Sequence, residues 1–161
     1  MTLSPGWRKL TLAVHVVTSV GFIGAAAAFL VLALTGAMAT DAGLIGAAYL
    51  GMRILTWAIV VPLAFASLLV GIVSSLGTPW GLFRHYWVIV KLVLTAIAVG
   101  VLMVQTATID GLAARALTLG PDGMIGARWA MVAHAGGGIA VLLAATALSV
   151  WKPRGVTRAT V

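Results

Sequence analysis

The sequence has no cysteine and no glutamate, and its only acidic side chains are those of Asp41, Asp110 and Asp122. The absence of cysteine excludes disulfides, thiolate metal sites and cysteine nucleophiles. All three aspartates fall between apolar stretches of sequence. We therefore expect no carboxylate inside a membrane span, and no carboxylate proton relay of the kind that proton-coupled transporters use.

Apolar residues dominate what is present. They make up 62% of the 161 residues, charged residues make up only 8%, and the mean hydropathy is +1.16. Such values are typical of a membrane protein with several spans. Four apolar stretches, each close to the ~20 residues that a spanning helix needs, cover residues 10–36, 53–76, 86–107 and 129–151. Their short connections predict an all-α integral membrane protein, a four-helix bundle of up-down-up-down topology that forms one membrane domain over residues 1–161.

The net charge of +7 would suggest nucleic-acid binding in a soluble protein. Here the basic residues flank apolar stretches, so lipid and topology explain them and we expect no nucleic-acid partner. One side of the membrane receives most of them: Arg8, Lys9, Arg84, Lys91, Lys152, Arg154 and Arg158. The positive-inside rule then places both termini in the cytoplasm, with the chain in the cell membrane.

The third span begins with a polar and aromatic cluster, Arg84-His85-Tyr86-Trp87, and carries Lys91 further on. An ammonium group within an apolar helix is costly, so it is usually paired, extended to the interface or functional. At helical spacing one face of this span carries Arg84, Val88, Lys91, Thr95, Leu102 and Gln105. We expect this face to point into the bundle.

His15 lies in the first span, and its helix face also carries Thr11, Thr18 and Ser19. Those hydroxyls could accept the imidazole N–H and orient the ring, as groups around a metal ligand do. The alternative is a packing histidine that bonds a neighbouring helix.

The other two histidines are equally open to two interpretations. His134 in the fourth span is followed by Gly136-Gly137-Gly138. This small-residue wall could let another helix approach closely, or it could leave room for a planar macrocycle beside its ligand. His85 is either an interfacial residue or a second axial ligand, with Arg84 available for a haem propionate.

Depth in the membrane restricts which of these groups can act together. With a rise of ~1.5 Å per residue in a core of ~30 Å, His15 and His134 should differ in depth by more than about 10 Å. They are therefore not expected to bind one iron. His15 with Lys91 or with His85 would form one group. The other group, around His134, would contain Arg53, Met103 and Gln105.

The second group also permits copper, because imidazole and thioether sulfur suit Cu(I). Five methionines cluster towards that side of the membrane: Met38, Met52, Met103, Met124 and Met131. Methionine in apolar helices is mostly a packing residue, and these five show no tight repeated spacing.

The chain resembles small membrane proteins of the CopD and HemJ type, a copper-uptake family and a haem-containing protoporphyrinogen oxidase. The resemblance rests on Leu12-Ala13-Val14-His15 with the glycines that follow, on His85-Tyr86-Trp87, and on Lys91-Leu92. It implies a membrane-embedded haem b or copper site in which His15 and Lys91 match the family's histidine and lysine. The acidic and asparagine residues of the oxidase's last helix are replaced here by His134 and glycines, and CopD proteins are longer.

These observations favour a haem-b-binding redox protein that exchanges electrons with a quinone or a redox partner protein. The candidate axial ligands are His15, His85 and His134, and the candidate propionate partners are Arg84, Lys91 and Arg53. One alternative is copper binding through His134 and Met103. Another is a cofactor-free subunit of a membrane complex, and a homodimer is compatible with each hypothesis. Whether a reaction is catalysed is left open.

Overall fold

A computed structural model describes residues 3–77, 81–116, 118, 122–153, 155 and 157 of the chain. Within these residues there is no strand, and the helices are α1 (Pro5–Met38), α2 (Ala42–Leu55), α3 (Val61–Leu76), α4 (Tyr86–Ala114) and α5 (Ile125–Trp151). A π-helical turn, Thr56–Val60, joins α2 directly to α3, so both belong to one long helix. The described chain thus has four helices long and apolar enough to cross a membrane. This confirms the predicted all-α four-helix membrane bundle.

The helices are longer than the apolar stretches that predicted them. The second span starts at Ala42 instead of residue 53, because Asp41 caps it by accepting a hydrogen bond from the backbone N–H of Leu44 at 2.7 Å. The third span continues to Ala114 instead of ending at residue 107.

The expectation that Asp110 lies between spans was wrong, because Asp110 lies on α4. Its carboxylate accepts hydrogen bonds from Arg53 Nε at 3.1 Å and from Trp57 Nε1 at 3.2 Å. These two partners come from the neighbouring helix and offset the cost of a carboxylate near the end of an apolar helix.

The π-helical turn has a local cause in the sequence. Pro62 has no backbone N–H, so it cannot continue the ordinary hydrogen-bond pattern of an α-helix. One residue earlier, the N–H of Val61 donates to the carbonyl of Thr56, five residues back. The wider turn places Val60 in the bundle interior, where it is buried.

Helix α1 contacts α2, α3 and α5, and α4 packs against the same three helices from the other side. Two glycines in α1 and α2 permit close approaches to a neighbouring segment. A Cβ at Gly46 would lie 2.7 Å from the backbone oxygen of Ala116, and one at Gly36 would lie 2.7 Å from Cζ of Tyr49. Both distances are shorter than van der Waals contact, so these two positions require glycine.

Candidate functional site

The bundle contains a cleft at the end that holds both described chain ends, and we call it the terminal cleft. It combines a cavity of about 220 Å³ with an adjoining one of about 550 Å³, and the two share His15, Gly71, Lys91 and Ser149. The deeper cavity has a row of polar lining residues: His15, Ser19, Ser67, Ser75, Lys91, Thr95, Thr146 and Ser149. The wider cavity adds Arg8, Lys9 and Lys152, and no described lining residue of either is acidic. The terminal cleft is therefore a largely apolar space that carries several hydroxyl groups and cationic side chains.

Helix α1 places His15 against α3, directly over Gly71. A Cβ at Gly71 would lie 3.0 Å from Cε1 of the imidazole, so the glycine leaves room for the ring. The spacing Ser67, Gly71, Ser75 puts three small residues on one face of α3. That face forms the wall opposite His15.

Two polar atoms beside the terminal cleft lack a hydrogen-bond partner among the described residues. They are Nδ1 of His15 and Oγ of Ser74, and both are fully buried. The prediction that neighbouring hydroxyls would accept from His15 was wrong. Thr18 donates to the backbone oxygen of Val14 at 2.9 Å, and Ser19 pairs with Ser67 at 3.0 Å. A buried polar atom without a partner costs about 1–3 kcal/mol, so a group that formed a hydrogen bond with either atom would stabilise this end of the bundle.

Lys91 reaches the same space from α4. Its Nζ donates to Oγ of Ser149 on α5 at 3.2 Å and lies 5.5 Å from the centre of the Trp87 ring. The predicted grouping of His15 with Lys91 is confirmed, since both line the terminal cleft. The inward orientation is confirmed for five of the six residues on the predicted face: Val88, Lys91 and Thr95 line this cleft, and Leu102 and Gln105 line a second cavity. The sixth, Arg84, precedes α4 and is exposed.

The structure does not bring His85 or Arg84 into the terminal cleft. His85 immediately precedes α4, and its ring centre is 6.3 Å from that of Trp87. Neither residue lines the cavities described here. The backbone oxygen of Arg84 instead accepts from the backbone N–H of Thr157 at 3.0 Å, and the hydroxyl of Thr157 donates to the backbone oxygen of Phe83. This loop therefore anchors Thr157.

A second cavity of about 300 Å³, the distal groove, lies further along the bundle between α1, the π turn, α4 and α5. Its lining is apolar except for Gln105 and His134. His134 Nδ1 lies 2.5 Å from the backbone oxygen of Ala130, and Nε2 lies 3.0 Å from Nε2 of Gln105. The contact with a carbonyl, which can only accept, places the imidazole proton on Nδ1. Nε2 therefore accepts from the Gln105 amide.

The glycine wall of α5 does not pack against another part of the described chain. A Cβ at Gly136, Gly137 or Gly138 would meet no other atom within 4 Å, and the last two line the distal groove. The close helix approach that the sequence allowed is therefore not made at these glycines within one chain.

The remaining predicted members of the His134 group lie elsewhere. Arg53 pairs with Asp110 on the bundle surface, and neither Arg53 nor Met103 lines the distal groove. Of the five methionines on that side only Met131 does. Within the described residues no three histidine or acidic side chains lie close enough to hold a metal ion. Of the predicted group, Gln105 therefore contacts His134, whereas Arg53 and Met103 do not lie in the distal groove.

Several residues of the terminal cleft were not singled out from the sequence. Ser67 and Ser75 could have been found from their spacing of four residues on either side of Gly71. Ser149 lies one turn after Ala145 on α5, and its contact with Lys91 depends on the rotation of two helices. The sequence pattern of one helix alone therefore does not predict the contact between Ser149 and Lys91.

No protein-family model, curated protein or solved structure matches the chain. Function is therefore inferred from the chemistry of the terminal cleft and the distal groove, and the resemblance to the CopD and HemJ type stays a prediction.

Proposed function

We propose that the protein is a haem-b-binding redox protein of the cytoplasmic membrane, with the haem in the terminal cleft and His15 as an axial ligand. The observation that carries this proposal is the imidazole of His15. One of its ring nitrogens has no hydrogen-bond partner among the described residues, and the ring lines a cavity whose wider part is bordered by basic side chains. Imidazole is the commonest protein ligand of haem iron in several haem-protein classes.

The shape and charge of the terminal cleft suit an amphipathic dianion. Its apolar lining between the helices suits a macrocycle, and Arg8, Lys9 and Lys152 suit two propionates at its wider end. The absence of acidic residues among the described lining residues fits the same ligand. A bound haem b would supply one-electron redox chemistry, and the protein would set its orientation and potential.

The chain's own residues have separate tasks in this proposal. Gly71 lets the His15 ring lie against α3, which fixes its position in the terminal cleft. Ser149 and Trp87 hold the Lys91 side chain beside the same space. A positive charge there favours the reduced form of a redox group. Leu82, Val88 and Leu92 surround the deeper cavity with apolar surface and limit access of water.

The distribution of basic residues supports a location in the cell membrane with both termini in the cytoplasm. The terminal cleft then opens towards the cytoplasmic side, where Arg8, Lys9 and Lys152 lie. We propose that a lipid-soluble quinone or a redox partner protein exchanges electrons with the haem.

The test is the visible spectrum of the protein purified in mild detergent and supplied with haem b, recorded oxidised and dithionite-reduced. We expect a sharp Soret band and resolved reduced bands, which His15→Ala should abolish or shift. His85→Ala and His134→Ala are matched controls that should keep the wild-type spectrum, because neither residue lines the terminal cleft. A protein that stays colourless after reconstitution would overturn the proposal. So would a His15→Ala spectrum identical to wild type.

A further inference from the structure

We propose that the distal groove binds the ring of a lipid-soluble quinone beside Gln105 and His134. The groove has about 300 Å³ of space, which is at the lower end of the usual range for small-molecule sites. A single benzoquinone or naphthoquinone ring is small and planar. Its isoprenoid tail can remain in the bilayer.

The hydrogen bonds within the groove leave one donor and one acceptor available to such a ring. Because His134 Nδ1 donates to Ala130, its Nε2 accepts one N–H of Gln105. The Gln105 amide keeps a second N–H and its oxygen, and neither has a partner among the described residues. A quinone carbonyl can accept from that N–H, and a quinol hydroxyl can donate to that oxygen. One side chain therefore suits both redox forms of the ligand.

The lining also selects for an uncharged ligand. Among the described residues that line the groove, only Gln105 and His134 are polar, and none is charged. Burying an ion there would be expensive, whereas a neutral ring with two oxygens meets apolar walls and one amide. Phe22 and Phe29 provide aromatic surface, and Gly137 leaves open space on α5 where the ring can lie flat.

The groove is open to the membrane. Ile97 and Val101 line it and remain 58% and 43% exposed, so a ligand can enter laterally from the bilayer. A lipid acyl chain could enter the same way, but it has no group to satisfy the Gln105 amide. Polar side chains at this depth are costly unless they have a partner, which favours a ligand that carries oxygen.

Leu142 lines both the distal groove and the terminal cleft. A quinone ring in the groove would therefore be separated from the terminal cleft by a thin apolar partition. Its role as redox partner of a haem rests on the proposed function. The binding itself depends only on the groove.

The experiment uses a short-tailed azido-benzoquinone as a photoreactive probe on the full-length protein in phospholipid nanodiscs. Labelled peptides are identified by mass spectrometry, and the dissociation constant is measured by competition with the unmodified quinone. We expect labelling within residues 97–105 or 133–141. Gln105→Leu should weaken binding roughly tenfold, as expected for the loss of one hydrogen bond.

Gly137→Leu should block labelling by placing a bulky side chain in the groove, and folding should tolerate it, because a Cβ at Gly137 meets no atom within 4 Å. Gly100→Leu is the matched control: it also faces open space but does not line the groove. Unchanged affinity in both Gln105→Leu and Gly137→Leu would overturn the proposal. If Gly137→Leu instead changes a dimer to a monomer without changing labelling, the occupant is a second copy of the chain.

The two proposals fail separately. A colourless protein that is still labelled in the groove would contradict the haem and leave the quinone site intact. A protein with a Soret band that depends on His15, but with no labelling, would contradict the quinone site and leave the haem proposal intact.

Discussion

The imidazole of His15 on α1 lies directly against the backbone of Gly71 on α3. A Cβ on Gly71 would come within 3.0 Å of Cε1 of the ring, so the position of His15 depends on a hydrogen atom at Gly71. Because Ser67 and Ser75 flank this glycine on the same face of α3, the ring lies over a small and polar surface. A small substitution at Gly71 therefore changes the position of the His15 ring without replacing the histidine.

Gly71→Ala should move the imidazole by a few tenths of an ångström and shift the Soret band of the haem-loaded protein. Overpacking of this kind costs about 1 kcal/mol or more of folding free energy. Gly24→Ala on α1 is the control, because a Cβ there meets nothing within 4 Å. The measurements are the reduced spectrum and an unfolding titration with sodium dodecyl sulfate. Identical spectra for the two variants would contradict the placement of His15 in the haem site.

Arg128→Met should strongly destabilise the bundle. Arg128 is only 2% exposed, and its guanidinium donates from Nε to the backbone oxygen of Gly36 at 2.9 Å, close to the C-terminal end of α1. It thus satisfies a carbonyl that α1 leaves without an intrahelical partner. Loss of the charge-assisted hydrogen bonds of Arg128 should lower the free energy of unfolding by about 3 kcal/mol.

Arg53→Met is the matched control for Arg128→Met. The Arg53 side chain is 56% exposed, and an ion pair of that kind with Asp110 contributes about 1 kcal/mol or less. Both variants can be compared by the same unfolding titration followed by circular dichroism. Equal unfolding midpoints for the two variants would show that Arg128 does not stabilise the C-terminal end of α1.

The features that were predictable from the sequence are those encoded within one helix. Apolar runs located the four spans, and the spacing of Val88, Lys91 and Thr95 identified the face of α4 that lines a cavity. Comparable depth in the membrane was enough to group His15 with Lys91. Each of these inferences uses only the rise and the periodicity of a helix.

Features that depend on how two helices rotate against each other were not predictable in this way. Asp110 looked like a loop residue because its stabilising partners, Arg53 and Trp57, are more than fifty positions away in sequence. The predicted fourth span began at residue 129 and so left out Arg128, whose hydrogen-bond partner Gly36 belongs to α1. His85 was placed near His15 by depth alone, whereas the structure turns it towards Trp87.

Gly46→Ala should destabilise the protein by about 1–3 kcal/mol. The added Cβ would lie 2.7 Å from the backbone oxygen of Ala116, and a backbone atom cannot rotate away as a side chain can. Gly51→Ala on the same helix is the control, because its nearest neighbour would be Cδ1 of Leu32 at 3.6 Å, an ordinary contact. Thermal unfolding in detergent compares the two. A Gly51→Ala variant that is the less stable of the pair would contradict the packing of α2 described here.

The proposed topology can be tested cleanly because the chain has no cysteine of its own. Ser4 precedes α1, Asp122 lies between α4 and α5, and both are exposed. If both termini are cytoplasmic, a membrane-impermeant maleimide added to intact cells should label Asp122→Cys and leave Ser4→Cys unmodified until the cells are opened. The physical reason is the excess of basic residues near the ends of the spans on the side of Ser4. The reverse pattern would place the terminal cleft on the outer side, so a haem bound there would have to exchange electrons with partners outside the cytoplasm.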